Sequence, residues 1–177
     1  LGSLGLPVMV LVFPPKLAIA ILLPLYLITD FFVAFTWRKF PVLKILKLMV
    51  LGGLLGQILG WLCFEYLDDN YILTLIGLLA LITSVRYFKN IFFKNNFGNK
   101  TKKIFNLSFI RAIGWCGFSG FSSFVALTGG IPAQIFLLPL GLERQLFVGT
   151  MSFYFLIINL AKLPFFFNLE VFSHASV

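Results

Sequence analysis

The chain has little charge. Only 11% of its 177 residues are Asp, Glu, Lys or Arg, and six of these are acidic. Soluble domains carry about 25% charged residues, mainly on their surfaces. Here 60% of the residues are hydrophobic. This composition excludes an ordinary soluble domain and predicts a polytopic membrane protein.

Cysteine and histidine are also scarce. Cys63 and Cys116 both lie in apolar runs, and His174 is the single histidine. No metal-ligand spacing is present, and one histidine cannot form a metal site alone. We therefore expect two free, buried thiols, no metal and no cofactor.

Few residues in the apolar runs could catalyse a reaction. Intramembrane proteases and acyltransferases need a nucleophile with a base, or paired acids. No histidine lies in a predicted span, and Asp30 is the only acid in one. We therefore expect a protein that is not an enzyme.

Four apolar runs approach the roughly 20 residues that a membrane-spanning helix needs. They are residues 17–36, 45–64, 71–87 and 146–167. Residues 108–139 form a longer run that is interrupted by glycine, serine and proline, and residues 4–13 are too short to span alone. The predicted fold is an all-α, polytopic transmembrane helix bundle with broken helices.

The charges lie in the connections between the apolar runs. Residues 37–47 and 86–111 are basic, whereas residues 65–70 hold acids and no base. Because cytoplasmic loops are enriched in Lys and Arg, we expect both basic segments in the cytoplasm of a multi-pass protein of the cell inner (plasma) membrane. The net charge of +8 is not gathered on one face, so we expect no nucleic-acid partner. Residues 89–103 of the second basic segment form either a solvated connector or a site that binds anionic lipid or a partner.

Three glycines recur at every fourth position of one predicted span. Gly52, Gly56 and Gly60 would place small residues along one helix face. Such a face lets two helices approach closely in lipid. It forms either a contact inside the bundle or the interface of a homodimer.

A short internal repeat is present. Residues 5–7 (GLP) precede Pro14 by the same interval as residues 130–132 (GIP) precede Pro139. Secondary transporters are commonly built from two related halves. The repeat therefore predicts two such halves in this chain.

The repeat also sets a register between the halves. Allowing four extra residues after Pro139 aligns Asp30 with Asn159. We expect a first transmembrane repeat at residues 1–88, a basic cytoplasmic loop at 89–106 and a second repeat at 107–177. The chain begins and ends in or near apolar runs, so we expect both repeats to be truncated at the chain ends.

The second repeat contains a predicted helix break. Gly129, Gly130 and Pro132 would interrupt the helix, and unwound backbone in a membrane is tolerated where it lines a protein cavity. A half-helix starting near Ile131 would direct its positive end at the break. This arrangement predicts an anion site made without cationic side chains and surrounded by hydroxyl groups, namely those of Ser119, Ser122, Ser123 and Thr128.

The same residues also fit a purely structural interpretation. A kinked helix whose serine and threonine side chains bond to their own backbone would have the same composition. The repeat favours the anion site over this alternative.

Two charges lie within predicted spans. Burying Asp30 or Lys162 without a partner costs several kcal/mol, so we expect them to approach each other across the two repeats. They would form a coupling relay for protons or substrate, or a structural ion pair, unless Lys162 extends to the membrane surface. Gln57, Gln134 and Asn159 are further candidates for a polar pathway.

The stretch GFSGFSSFVALTGGIPAQIFLLPLGLERQLFVGTMSFYFLIINLAKLPFF resembles the sulfite exporter TauE/SafE family of membrane transporters. The first half is similar through PPKLAIAILLPLYLITDFFVAF and LGGLLGQILG. Three positions depart from the family pattern: Leu127 stands where many members have His, Ile131 replaces a proline and Phe136 replaces a tyrosine. The residues that carry the resemblance are those at 120–124 and 137–139, with Gly129, Gly130, Pro132, Gly149, Thr150, Asn159, Lys162 and Pro164.

The resemblance implies a transporter that exports or exchanges small anions by alternating access. Sulfite, organosulfonates and small carboxylates are the expected substrate class. The alternatives are an anion channel and a structural or assembly subunit of a membrane complex. We expect coupling through Asp30 and Lys162, and substrate binding by Ser122, Ser123, Thr128, Gly129, Gly130, Gln134, Thr150 and Asn159.

Overall fold

The computed structural model describes residues 2–64, 68–92 and 109–168. Within these ranges the secondary structure is helical, which confirms the predicted all-α fold. A 3-10 turn, Leu138–Leu140, follows the sixth helix. The α-helices are α1 Gly2–Met9, α2 Pro15–Thr36, α3 Leu43–Phe64, α4 Asp69–Phe92, α5 Phe109–Ala126, α6 Gly130–Leu137 and α7 Arg144–Asn168.

Three of the described helices are long and apolar enough to cross a membrane. They contain the segments Leu17–Thr36, Leu43–Phe64 and Arg144–Phe165, so three of the four predicted spans are confirmed. The fourth, residues 71–87, lies in α4, whose apolar part Asn70–Ile82 is shorter.

Large apolar side chains cover the outward surfaces of these helices. On α2, Phe31, Phe32 and Phe35 are all exposed. Soluble proteins rarely expose so much contiguous apolar surface to water, so these faces are suited to contact with lipid chains. The chain is therefore a multi-pass membrane protein.

Parts of the predicted loops lie outside the described residues. This holds for positions 93–108 of the basic segment and positions 65–67 of the acidic connection. Both cysteines are free thiols, but the burial predicted for Cys63 is wrong. Cys63 is exposed on the outward face of α3, and Cys116 is buried.

Helices α3 and α5 lie side by side and run in the same direction. Gly52 of α3 lies against Cys116 of α5, and Gly60 lies against Phe124. Later residues of α3 therefore contact later residues of α5, which shows that the two helices are parallel. The first residues of α3 and α5, Leu43 and Phe109, therefore lie on the same side of the bundle.

Helix α6 turns back beside α5. Its buried residues Ala133, Phe136 and Leu137 share a core cluster with Ala112 of early α5 and Ile45 of early α3. The residues at the end of α5 belong to a different cluster, with early α2 and the end of α3. Helices α5 and α6 thus form a re-entrant hairpin, and α7 begins on the side where α5 began.

The glycine stripe of α3 forms the α3–α5 contact. A side chain on Gly56 would collide with the Gly117 carbonyl, and one on Gly120 would collide with the Gly53 carbonyl. Close backbone approach of this kind is the usual role of small residues in membrane helices. The stripe is therefore occupied inside the bundle and is not available as a dimer face.

Two parts of the chain share a pattern of short helix, turn and long helix. Asp30 lies fifteen residues after the first residue of α2, Pro15, and Asn159 lies fifteen residues after the first residue of α7, Arg144.

A contact between the short and the long helix also recurs. In one part Gly5 lies against the Tyr26 hydroxyl, and in the other Gly130 lies against the Phe155 ring. The offset from Tyr26 to Phe155 equals that from Asp30 to Asn159. The offset is the one inferred from the sequence, and the two repeats stay a prediction.

Two glycines of α5 provide a test of the α3–α5 contact. We expect Gly120→Ala to lower the free energy of unfolding by about 1 to 3 kcal/mol, because the added methyl collides with rigid backbone. Gly114→Ala places a methyl in open space, and we expect it to be neutral or stabilising by up to about 1 kcal/mol. Melting temperatures in one detergent would measure both. Equal melting temperatures would contradict the packing described for α3 and α5.

Candidate functional site

The helix break occurs where the sequence places it. Helix α5 ends at Ala126 and α6 begins at Gly130, one residue before the predicted start near Ile131. The left-handed residue of the break is not a glycine, however. It is Leu127, with φ of 50°, whereas Gly129 has φ of −62°.

Ser119, in the second half of α5, forms a hydrogen bond with the break. Its hydroxyl donates to the Gly129 carbonyl at 2.6 Å, and the Tyr154 hydroxyl of α7 donates to Ser119 Oγ at 3.0 Å. The sequence analysis did not select Tyr154. The one available signal was general: a buried tyrosine hydroxyl usually has a hydrogen-bond partner. These bonds fix the position of the break relative to two helices.

Ser122 and Thr128 bond to nearby backbone. Ser122 Oγ donates to the Phe118 carbonyl at 2.8 Å, and Thr128 Oγ1 lies 3.5 Å from the Ser122 carbonyl. Serine and threonine hydroxyls commonly do this in apolar helices. For these two hydroxyls the geometry is that of the kinked-helix interpretation.

Ser123 differs because its hydroxyl contacts a cation. Lys162 Nζ of α7 donates to Ser123 Oγ at 2.8 Å. The Lys162 side chain is 0% exposed and that of Ser123 is 3% exposed. The site beside the break therefore contains a buried lysine side chain, in contrast to the site without cationic side chains expected from the sequence.

Asn159 connects Lys162 to Asp30. Its Oδ1 accepts from Lys162 Nζ at 2.7 Å, and its Nδ2 donates to Asp30 Oδ2 at 2.5 Å. Asn159 is buried and Asp30 is half-buried. A continuous polar chain thus runs from Asp30 on α2 through Asn159 and Lys162 on α7 to Ser123 on α5. We call these four residues the polar chain.

The amino end of α6 lies next to the polar chain. A side chain on Gly129 would meet Ser123 Cβ at 2.6 Å. Among the described residues, no side chain caps this end of α6. The positive end of a helix dipole and a buried ammonium group therefore flank one hydroxyl, which is a favourable arrangement for an anion.

Thr150 lies apart from the polar chain. It is buried, and its Oγ1 accepts from the Val42 amide at 3.0 Å where α3 begins. Asn159 follows nine residues later in α7, roughly 13 Å at about 1.5 Å per residue. Since the apolar part of a bilayer is about 30 Å thick, we expect the polar chain to lie near the middle of the membrane.

The remaining predicted residues have different surroundings. Gln134 is exposed on α6, whereas Gly129 is buried and Gly130 is partly buried. Gln57 is buried, and its Nε2 donates to the Ile158 carbonyl at 2.7 Å. Within the described ranges, no three His, Cys, Asp or Glu side chains are grouped so that they could hold a metal ion.

The family described as sulfite exporter TauE/SafE matches residues 1–177. The chain belongs to the TauE/SafE family. This membership makes it a membrane transporter of the class that carries sulfite and related anions. No curated protein and no solved structure matches the chain.

In this TauE/SafE chain, the left-handed residue of the break is Leu127. Leucine is disfavoured there, because left-handed backbone costs a residue with Cβ about 1 kcal/mol or more. The Leu127 side chain is buried in a core cluster beside Phe124 and Val125. Burial of the side chain offsets the strain, and the position presents an apolar rather than a titratable group.

The role of Thr150 gives a second test. We expect Thr150→Val to lower the free energy of unfolding by about 1 to 2 kcal/mol, because it leaves the Val42 amide without its partner. Thr74→Val is the control, since Thr74 is exposed and bonds only to its own helix; we expect a change within about 0.5 kcal/mol. Chemical denaturation in detergent would measure both. A sulfite KM raised by Thr150→Val without loss of stability would contradict the loop-fastening role.

Proposed function

We propose that the chain is a carrier that exports or exchanges small anions across the cell inner membrane by alternating access. Sulfite, organosulfonates and small carboxylates form the substrate class. The observation that carries the proposal is the buried contact between Lys162 and Ser123 beside the helix break. A fixed cation, a hydroxyl and a helix amino end are three independent sources of attraction for one oxyanion.

The residues of the proposed binding site have different roles. Ser123 and Asn159 would contact or orient the anion, together with the backbone at Gly129 and Gly130. Ser122 and Thr128 shape the break through their backbone bonds. Gln134 is exposed and Thr150 bonds to the Val42 amide here, so both would contact the anion only in other conformations.

Burial of Lys162 favours a carrier over an open channel. Its side chain has no exposed surface, so an anion can reach it only after helices separate. The hairpin of α5 and α6 is the natural moving part, because its tip contacts the polar chain and its two ends lie on one side of the bundle. Re-entrant segments at the membrane midplane are typical of transporters.

We further propose that the chain consists of two related halves of opposite orientation. Asp30 and Asn159, which the repeat register makes equivalent, are hydrogen-bonded to each other. Residues related by a two-fold axis meet when they lie on that axis. The Gly5–Tyr26 and Gly130–Phe155 contacts support the same register. Asp30 and Lys162 would then couple the halves.

Transport by purified, full-length protein in proteoliposomes tests the carrier. We expect saturable flux of sulfite, sulfoacetate or acetate, and a loss of at least tenfold in kcat/KM for Ser123→Ala. The matched control is Ser152→Ala, because Ser152 is also buried but bonds to its own helix at Gly149. We expect that control to stay within twofold of the unaltered protein.

Two results would contradict the proposal. Absence of saturable flux for all three anions, with the protein folded, would remove the carrier function. Equal losses for Ser123→Ala and Ser152→Ala would move the site away from the break.

A further inference from the structure

We propose that Lys162 is the direct charge partner of the bound anion and that Asn159 couples it to Asp30, so that one proton enters the site with each monovalent anion. The inference rests on the proposed anion-carrier function and adds to it a ligand and a coupling rule. The new element is the link between the attraction of Lys162 for the anion and the protonation of Asp30.

The polar chain must stay close to charge balance. With Lys162 protonated and Asp30 ionised, the four residues together are neutral. An arriving monovalent anion would leave one uncompensated negative charge near the middle of the membrane, which is strongly unfavourable. A proton delivered by a hydronium ion restores neutrality: the O–H bond of the hydronium breaks, the O–H bond on the Asp30 carboxylate forms, and water is left. No other covalent bond forms or breaks.

Few groups near Asp30 could take that proton. Among the side chains that the structure describes, the titratable groups that interact with Asp30 are Lys162 on α7 and Tyr26 one turn earlier on α2. Lys162 already carries its proton when it attracts an anion, and a neutral tyrosine has none to gain. Asp30 is the remaining acceptor, and it is half-buried rather than enclosed.

The Asn159 amide lies between Asp30 and Lys162. Its two ends have opposite character, because Nδ2 can only donate and Oδ1 can only accept. In this structure Nδ2 faces Asp30 and Oδ1 faces Lys162, which suits an ionised Asp30. A protonated Asp30 can donate its O–H, and rotation of the amide then brings Oδ1 to Asp30.

Rotation of Asn159 has a direct consequence for Lys162. The ammonium group would lose its Asn159 acceptor, since Nδ2 cannot accept a hydrogen bond. One N–H of Lys162 becomes available to an anion, while Ser123 Oγ remains as a second partner at the tip of the hairpin. Protonation of Asp30 and anion binding at Lys162 therefore favour each other, as thermodynamic linkage requires.

Calorimetric proton counting tests this coupling. Sulfite binding to the purified, full-length protein is measured near neutral pH in buffers of different ionisation enthalpy, which gives the protons taken up per sulfite. Free sulfite titrates in the same range, so the quantity of interest is the difference between the unaltered protein and Asp30→Asn. We expect the unaltered protein to take up about one proton more. Equal uptake by the two proteins would overturn the coupling.

Substitution of the lysine tests the binding role. We expect Lys162→Gln to weaken sulfite binding at least tenfold, and the double variant Asp30→Asn/Lys162→Gln to do the same. The double variant removes both charges together, so it avoids an unpaired buried carboxylate and keeps the test valid if Lys162→Gln alone fails to fold. Lys47→Gln is the control, since Lys47 is exposed on early α3, and we expect its affinity within twofold. Sulfite affinity of the folded double variant equal to that of the unaltered protein would overturn the binding role.

Failure of the carrier function gives a different pattern. If the unaltered protein neither binds sulfite nor transports any of the three anions, both proposals are overturned. If it binds sulfite with the same proton count as Asp30→Asn, only the coupling is overturned and the carrier stands.

Discussion

The buried ammonium group of Lys162 is the constraint on which the arrangement of the site depends. A lysine with no exposed surface in an apolar bundle requires acceptors and a nearby negative charge. Ser123 and Asn159 supply the acceptors, and Asp30 supplies the charge through Asn159. Three helices must therefore keep their positions for one side chain to be tolerated. Such a costly group is a sign of function more often than of stability.

The rest of the fold can be understood as support for this chain of contacts. The glycine stripe brings α3 against α5 and holds the helix that carries Ser123. Ser119 and Tyr154 keep the break beside Ser123, and Thr150 joins the beginning of α3 to α7. Close packing in a membrane relies on small residues and a few hydrogen bonds, because lipid is as apolar as the helix surfaces.

The sequence predicted most of the fold and part of the site. Length and hydropathy located the spans because the thickness of a bilayer is a fixed physical scale. The break was predictable from Gly129 and Pro132, and the rarity of charge in a span selected Asp30 and Lys162. These signals are local in sequence, or depend on composition alone.

Other features depend on side-chain direction, which the sequence did not show. Ser122 and Ser123 are neighbours on one helix, yet one bonds to its own backbone and the other to Lys162. Gln134 lies one turn beyond the break but faces outward, and Thr150 fastens a loop. The left-handed conformation of Leu127 was hidden because leucine is a poor candidate for it. Each outcome follows from how α5, α6 and α7 pack against each other, and the sequence pattern of one helix does not specify that packing.

A crystal structure with a bound anion tests the central claim most directly. Selenite resembles sulfite, and its selenium atom scatters anomalously. We expect one anomalous peak in each molecule beside Lys162 Nζ and Ser123 Oγ, with selenite oxygens within hydrogen-bond distance of both, together with rotation of the Asn159 amide. A selenite held elsewhere in the bundle, with the contacts of Lys162 unchanged, would contradict it.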